Sequence, residues 1–296
     1  MKPFDILTKV SKWFVGQAAK TSPSHGENRG SIPLRTAYIV FVRGLVILVL
    51  VRVSGLFIFY HVYKSKREEE AYMIKAVIFD MYETLITLYE SPLYFGEQIA
   101  KDAGIPVFKF QELWRPTETG RAIGQYTFEG LLEQILKECD CYTEEKHRLI
   151  VKKRIACKEE AFKHLHQEII PLLQALKNRG IKIGLISNCF SEEAMVIRKS
   201  VLFPYFDAVC LSYEEKIQKP NQEIFRRCLE KLSLSADECL YVGDGGSNEL
   251  EAATTVGMHV AQAVWYLKEG TMQPAKRKAE YINLDTPLNL LNIIDD

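Results

Sequence analysis

The sequence carries no excess of charge, its 38 Lys and Arg being matched by 38 Asp and Glu over 296 residues. It also has no C-x-x-C pair and no zinc-ligand spacing among its seven cysteines, Cys139, Cys141, Cys157, Cys189, Cys210, Cys228 and Cys239. That excludes a zinc ribbon and a thioredoxin-like redox motif. An odd number of cysteines in a chain this long reads as reduced thiols in a cytoplasmic body, with Cys189 a small buried filler. No internal repeat and no low-complexity tract is present, which excludes a solenoid. Zero net charge conceals a division: residues 1–72 hold 11 basic and 5 acidic side chains, and the remainder 27 and 33. An acidic body without a basic stripe argues against a nucleic-acid partner. The 47% hydrophobic and 26% charged fractions are those of an ordinary globular protein.

One long apolar run is present, GLVILVLVRVSGLFIFYHVY at residues 44–63. Its 20 residues at the helical rise would cross a bilayer. Arg52 opposes insertion by about 2.5–3.5 kcal/mol, and Leu, Ile, Val and Phe at thirteen positions each favour it by roughly 0.3–0.6 kcal/mol. The expectation is a transmembrane helix serving as a signal anchor, because no small-x-small cleavage site follows the run. Lys64, Lys66 and Arg67 against Arg29 and Arg35 put the body on the cytoplasmic side. The competing expectation is that Met73 opens the native protein with its first strand, residues 1–72 being an upstream translation or a fusion.

The segment Ile74-Lys75-Ala76-Val77-Ile78-Phe79-Asp80-Met81-Tyr82-Glu83-Thr84-Leu85 reads as a buried parallel strand that delivers a carboxylate at its C-terminal end. Open parallel sheets bind their ligands at that end. Residues 91–168 read as a helical insert, with apolar residues recurring at three and four over Phe95–Ala103, Val107–Ile123, Thr127–Cys139 and Glu144–Leu165. Strands then alternate with helices. Pro171 lies in the first turn of a helix ending at Gly180, strand Ile181–Asn188 follows, and Ser191 caps the next helix. Strand Phe206–Leu211, helix Asn221–Leu232, strand Cys239–Asp244, a helix ending near Gly257, strand Met258–Trp265 and a helix opened by Thr286-Pro287 complete the chain. This alternation implies an α/β fold with a doubly wound parallel sheet.

Four strand ends or loops carry polar groups in a consistent order: Asp80 with Thr84, Ser187 with Asn188, Lys219, and Gly243-Asp244-Gly245-Gly246-Ser247-Asn248-Glu249. An Asp at a strand end can be a nucleophile and a metal ligand at once, and Thr84 can hydrogen-bond a phosphate-like group. In this order the residues resemble the haloacid dehalogenase-like hydrolase superfamily across residues 73–296. Its motifs are D-x-D-x-T, a Ser or Thr closing an apolar strand, a Lys, and an acidic cluster in a Gly-Asp context. Lys219-Pro220-Asn221-x-x-Ile224-Phe225 is similar to the form found in members with a helical cap between the first two motifs, where the insert lies.

The resemblance implies a Rossmann-like core over 73–90 and 169–296, a helical cap over 91–168, and an extension over 1–72. It also implies a phosphohydrolase acting on a small phosphomonoester through an aspartyl-phosphate on Asp80. Ser187 and Lys219 would hold the equatorial oxygens, and Mg²⁺ would lie on Asp80, Asp244, the backbone carbonyl of Tyr82 and Glu249. Asn248 competes with Glu249 for the last place, and helix capping is the plain structural reading of both. Thr84, Asn188, Arg115 and Arg121 would contact substrate, with surface solvation the alternative for the two arginines.

Tyr82 departs from this pattern. The family's phosphatases place there an Asp that protonates the leaving alcohol and then activates water, and a phenol of pKa about 10 is a poor base at neutral pH. Asp-x-Tyr-x-Thr is the form of the family's 2-haloacid dehalogenases, which need no metal. Those enzymes usually carry Gly after the Tyr and a Ser-x-Asn-type fourth motif, where this chain has Glu83 and Gly243-Asp244. A dehalogenase-like hydrolase and a weakly catalytic binding module therefore stand as alternatives.

Overall fold

The computed structural model describes residues 74–268 and 275–295 throughout, and before them the backbone of three strands. The chain divides into two units, Met1–Lys66 and Arg67–Asp296. In the first, β1 (Thr36–Val42), β2 (Leu45–Val51) and β3 (Phe59–Lys64) form an antiparallel sheet in that order, with Thr36 opposite Val51 and Leu45 opposite Lys64. The membrane helix expected over 44–63 is thereby corrected. An apolar run rich in β-branched and aromatic residues satisfies strands as readily as a buried helix, and periodicity cannot separate them. Among the described residues no helix is long and apolar enough to cross a membrane. The expectation about Met73 falls outside the described residues.

The second unit opens with β4 (Ala76–Phe79), every residue of which is buried. Five helices follow: α1 (Gly96–Ala103), α2 (Val107–Trp114), α3 (Glu118–Ala122), α4 (Phe128–Glu138) and α5 (Glu144–Ala161). The single helix expected over 107–123 is broken by a 3₁₀ turn at Arg115–Thr117, where Pro116 lacks an N–H and its ring crowds the preceding turn. These helices bury a core of their own around Ile99, Phe110, Trp114, Phe128, Leu132 and Ile135. Trp114 stacks on Phe110 at 5.4 Å and meets Phe128 edge-on at 5.9 Å.

Strand and helix then alternate through α6 (Ile169–Asn178), β5 (Lys182–Ser187), α7 (Ser191–Lys199), β6 (Ala208–Leu211), α8 (Ser212–Glu215), α9 (Gln222–Leu232), β7 (Cys239–Gly243), α10 (Glu249–Val256), β8 (His259–Ala263), β9 (Ile282–Leu284) and α11 (Leu290–Asp295). The six strands pair in the order β6-β5-β4-β7-β8-β9, all parallel. Alternate residues of β4 serve opposite layers, as a period of two requires. Val77 and Phe79 pack with Leu173 and Leu176 of α6 and Ile197 of α7. Ala76 and Ile78 pack with Ile224, Phe225 and Cys228 of α9 and Leu250 of α10. Helices therefore cover both faces, the doubly wound arrangement expected. Strand β9 and helix α8 were not legible, each being too short to show a period.

Chain order turns back at β4, with β5 and β6 on one side and β7 onward on the other. Such a switch point opens a crevice at the C-terminal strand ends. Phe79 pairs with both Leu185 and Val242, so Asp80 leaves β4 one residue below the levels of Ser187 at the end of β5 and Asp244 just after β7.

The insert joins the sheet layer at Gly124, whose φ is +71°. A Cβ there would lie 2.4 Å from the Tyr213 carbonyl oxygen. Gly124→Ala is therefore expected to cost more than about 1 kcal/mol, from left-handed strain and the backbone clash together, in equilibrium urea unfolding. An unchanged midpoint would contradict this close approach.

Candidate active site

Three carboxylates meet at the switch point. Asp80, Asp244 and Glu249 each offer an oxygen within 4.8 Å of the others, and all three are buried. Asp80 is held in place by its own N–H, which donates to Val242 O at 2.9 Å. Asp244 accepts from Gly246 N at 2.9 Å, and its carbonyl accepts from Gln262 Nε2 at 2.8 Å. Glu249 takes the position that Asn248 could have filled: Asn248 is exposed with φ +51°, whereas Glu249 is fully buried at the first turn of α10. Its Oε1 accepts from Gly245 N at 3.2 Å. Gly243 is what admits it, because a Cβ there would stand 2.2 Å from Glu249 Oε1.

One cation answers these charges at close range. Lys219 Nζ lies 2.6 Å from Asp80 Oδ1, bonds Glu249 Oε2, and reaches the Tyr241 hydroxyl at 3.2 Å. Tyr241 in turn donates to Glu249 Oε2 at 3.0 Å. Burial, then Glu249, pushes the Asp80 carboxyl up to about 7 despite Lys219. Burial, then Glu249 and Asp80, pushes Asp244 up to about 8. For Lys219 burial works to lower the value, but Asp80 and Glu249 outweigh it and hold the ammonium above the ordinary lysine range. A hard cation with oxygen ligands relieves this kind of crowding, and the donor set fits Mg²⁺.

The remaining residues singled out in the sequence divide. Ser187 ends β5 fully buried, its hydroxyl 3.4 Å from the Asn188 carbonyl. Asn188 spends its carboxamide on the Lys219 backbone, donating Nδ2 to the carbonyl at 3.0 Å and accepting the N–H at 2.8 Å. It braces the lysine loop directly. Thr84 is fully buried, its hydroxyl has no hydrogen-bond partner among the described residues, and its carbonyl accepts from Trp265 Nε1 at 2.9 Å. Glu83 turns away from the carboxylates, accepting Thr87 Oγ1 at 2.7 Å and Leu88 N at 2.9 Å. Its φ of +57° explains why this position suits a Gly.

A cleft of about 590 Å³ opens beside Lys219. Arg115, Glu118 and Thr119 of the insert line it together with polar groups from Asn188, Glu193, Gln218, Ser247 and Asn248. The expected pairing of Arg115 with Arg121 as substrate contacts is not what the fold produces. Arg115 is exposed on the cleft, whereas Arg121 is buried with its guanidinium 3.9 Å over Trp114 and 4.3 Å over Phe190. Burial brings its pKa down to about 10. Two aromatic faces make this a packing role, an outcome that needs Phe190 from another element.

Tyr82, itself half-buried, adjoins a second cluster of buried charges, which sequence reasoning did not find. Arg154 of α5 donates Nε to Glu192 Oε1 at 2.9 Å and Nη1 to Tyr94 O at 2.7 Å, and Lys158 Nζ pairs with Glu193 Oε1 at 2.7 Å. The Lys158 ammonium stands 5.7 Å from the Tyr82 ring centre. Burial, then Glu193, raises the Tyr82 phenol well above its ordinary pKa. Ser191, expected as a helix cap, is the first residue of α7 itself. Its hydroxyl accepts Phe128 N from the insert at 2.8 Å, and Glu193 accepts the Phe190 N–H at 3.0 Å. The only cue was a pair of acids opening one helix and basic residues four apart on another, which also describes solvated faces.

An α/β sheet with Asp80, Lys219, Asp244 and Glu249 converging at its switch point defines a class of hydrolases. Residues 74–257 match the family model of the haloacid dehalogenase-like hydrolases, and the chain belongs to that family as an enzyme. It is 25% identical over 240 residues to a glyceraldehyde 3-phosphate phosphatase of Methanopyrus kandleri, covering 75% of this chain and 97% of that one. It is 26% identical over 225 residues to a phosphoglycolate phosphatase of Aquifex aeolicus, covering 75% and 98%. In fold it is similar to a 2-haloacid dehalogenase from Pseudomonas syringae, with a TM-score of 0.55 at 19% identity over 75% of this chain and 99% of that one.

Arg154→Leu leaves Glu192 and Glu193 with less positive charge in a buried interface. Loss of one partner from such a cluster is expected to cost about 3–5 kcal/mol in denaturant unfolding. A cost below about 1 kcal/mol would mean that the cluster is solvated.

Proposed function

We propose that the protein is a Mg²⁺-dependent phosphohydrolase of small phosphomonoesters, acting through an aspartyl-phosphate on Asp80, with residues 91–168 serving as the cap over the site. The observation that carries this reading is the approach of three buried carboxylates to within 4.8 Å of one another around a single ammonium. Displacing halide from a 2-haloacid needs the nucleophilic carboxylate and no metal, so a cluster of three carboxylates favours the metal-dependent reaction. The phosphatase names of the relatives agree with the reading.

Asp80 attacks phosphorus in line, and as the new P–O bond forms the bond to the ester oxygen breaks, that oxygen leaving as the alcohol with a proton from water. Water then attacks the aspartyl-phosphate, releasing phosphate and restoring the Asp80 carboxylate, so that one difficult displacement is divided into two. Lys219 offsets repulsion between Asp80 and an anionic substrate through its charge, and Ser187 at the neighbouring strand end would bond an equatorial oxygen. Asp80 and Asp244, with Glu249 and the Tyr82 backbone carbonyl, would hold Mg²⁺, which supplies positive charge against the transferring oxygens. Arg115 and the polar cleft wall receive the rest of the substrate. Because Tyr82 replaces the carboxylate that otherwise moves the proton, turnover is expected to be about 10²–10⁴-fold below that of an enzyme with a positioned acid-base.

The full-length protein is expected to release phosphate from small phosphomonoesters only when Mg²⁺ is present, and Asp80→Asn is expected to abolish release. Halide release from 2-haloacids that persists in EDTA would replace this reading with the dehalogenase one.

A further inference from the structure

Tyr241 lies in the middle of β7, fully buried, with its ring edge-on to Phe225 at 5.3 Å. Packing there asks only for the ring, and Phe would meet it. A buried hydroxyl is costly unless it is bonded. The bonds found for this one among the described residues go to Lys219 Nζ at 3.2 Å and Glu249 Oε2 at 3.0 Å.

We propose that Tyr241 is a positioning residue of the reaction, its hydroxyl completing a three-point hold that keeps the Lys219 ammonium aimed at Asp80. This inference rests on the phosphohydrolase reading above. Lysine has three N–H donors on a flexible four-carbon stem. Here Asp80 Oδ1, Glu249 Oε2 and the Tyr241 oxygen receive them. Each acceptor comes from a different place in the fold: the end of β4, the start of α10 and the middle of β7. Without the hydroxyl, one N–H is unpaired in a buried site whose nearby acceptors are the carboxylates themselves. The ammonium then turns further onto them, and Asp80 is less free to attack. Tyr241 acts through Lys219 and touches no substrate.

Tyr241→Phe in the full-length protein is expected to lower kcat roughly 10- to 100-fold, the scale of one hydrogen bond to a charged group. KM should stay within about threefold, as should Mg²⁺ affinity by calorimetry, and the melting temperature within about 3 °C. The packing control Phe225→Leu loosens the same ring contact and keeps the hydroxyl. It should lower the melting temperature while leaving kcat within about threefold. An unchanged kcat in Tyr241→Phe overturns the assignment, and so does an equal fall in both variants, which would make the residue structural. A wild-type protein without Mg²⁺-dependent phosphate release overturns the functional reading and this inference with it. An active wild type with an indifferent Phe variant overturns the Tyr241 role alone.

Discussion

Crowding three carboxylates into a buried pocket with one ammonium is the constraint around which this part of the molecule is arranged. At a few ångströms and a low effective dielectric, like charges repel by several kcal/mol. The surroundings answer that repulsion in detail. Lys219 lies against Asp80 and Glu249, Asn188 fixes the lysine loop through both sides of its carboxamide, and Gly246 N–H and Gln262 steady Asp244. Gly243 gives up a side chain so that Glu249 can close on the strand. Even so, Asp80 and Asp244 remain well above the ordinary carboxylate range. A pocket left in that state is suited to bind positive charge, which supports the phosphohydrolase reading proposed for it.

The helical insert bears on the same pocket through a second set of charges. Arg154 and Lys158 come from α5, and Glu192 and Glu193 open α7 directly after the Ser187-Asn188 strand end. Glu193 also lines the cleft, so the element that ties the insert to the sheet forms part of the wall a substrate meets. Tyr82 faces this cluster. Its substitution for a carboxylate therefore has a structural context: the loop after β4 gives a ring to the junction, where a carboxylate would have given a proton-transfer group.

Much of the core was legible because local rules and the fold agree. β4, β5 and β7 are short apolar runs ending in polar residues, and α9 shows its buried face as Ile224, Phe225, Cys228, Leu229 and Leu232. The readings that failed turned on partners distant in sequence. Arg121 looked like a substrate contact until Trp114 and Phe190 closed over its guanidinium. Ser191 looked like a cap until Phe128 of the insert claimed its hydroxyl. The apolar run at 44–63 fits a membrane helix by length and a strand by its β-branched content, and pairing between β1, β2 and β3 went to the strand.

Order along the chain by itself determined the fold class, the family, and which strand ends carry Asp80, Ser187 and Asp244, because strand periodicity and motif spacing are properties of neighbouring residues. Only the tertiary structure decided that Glu249 and not Asn248 turns inward, that Asn188 serves the lysine loop, that Arg121 is buried among aromatic rings, and that a core tyrosine offers its hydroxyl to Lys219. Each depends on backbone turns and on side chains brought from other elements. Whether a polar group is buried, paired or open to a cleft is set by those neighbours, and their positions are not written in the local sequence.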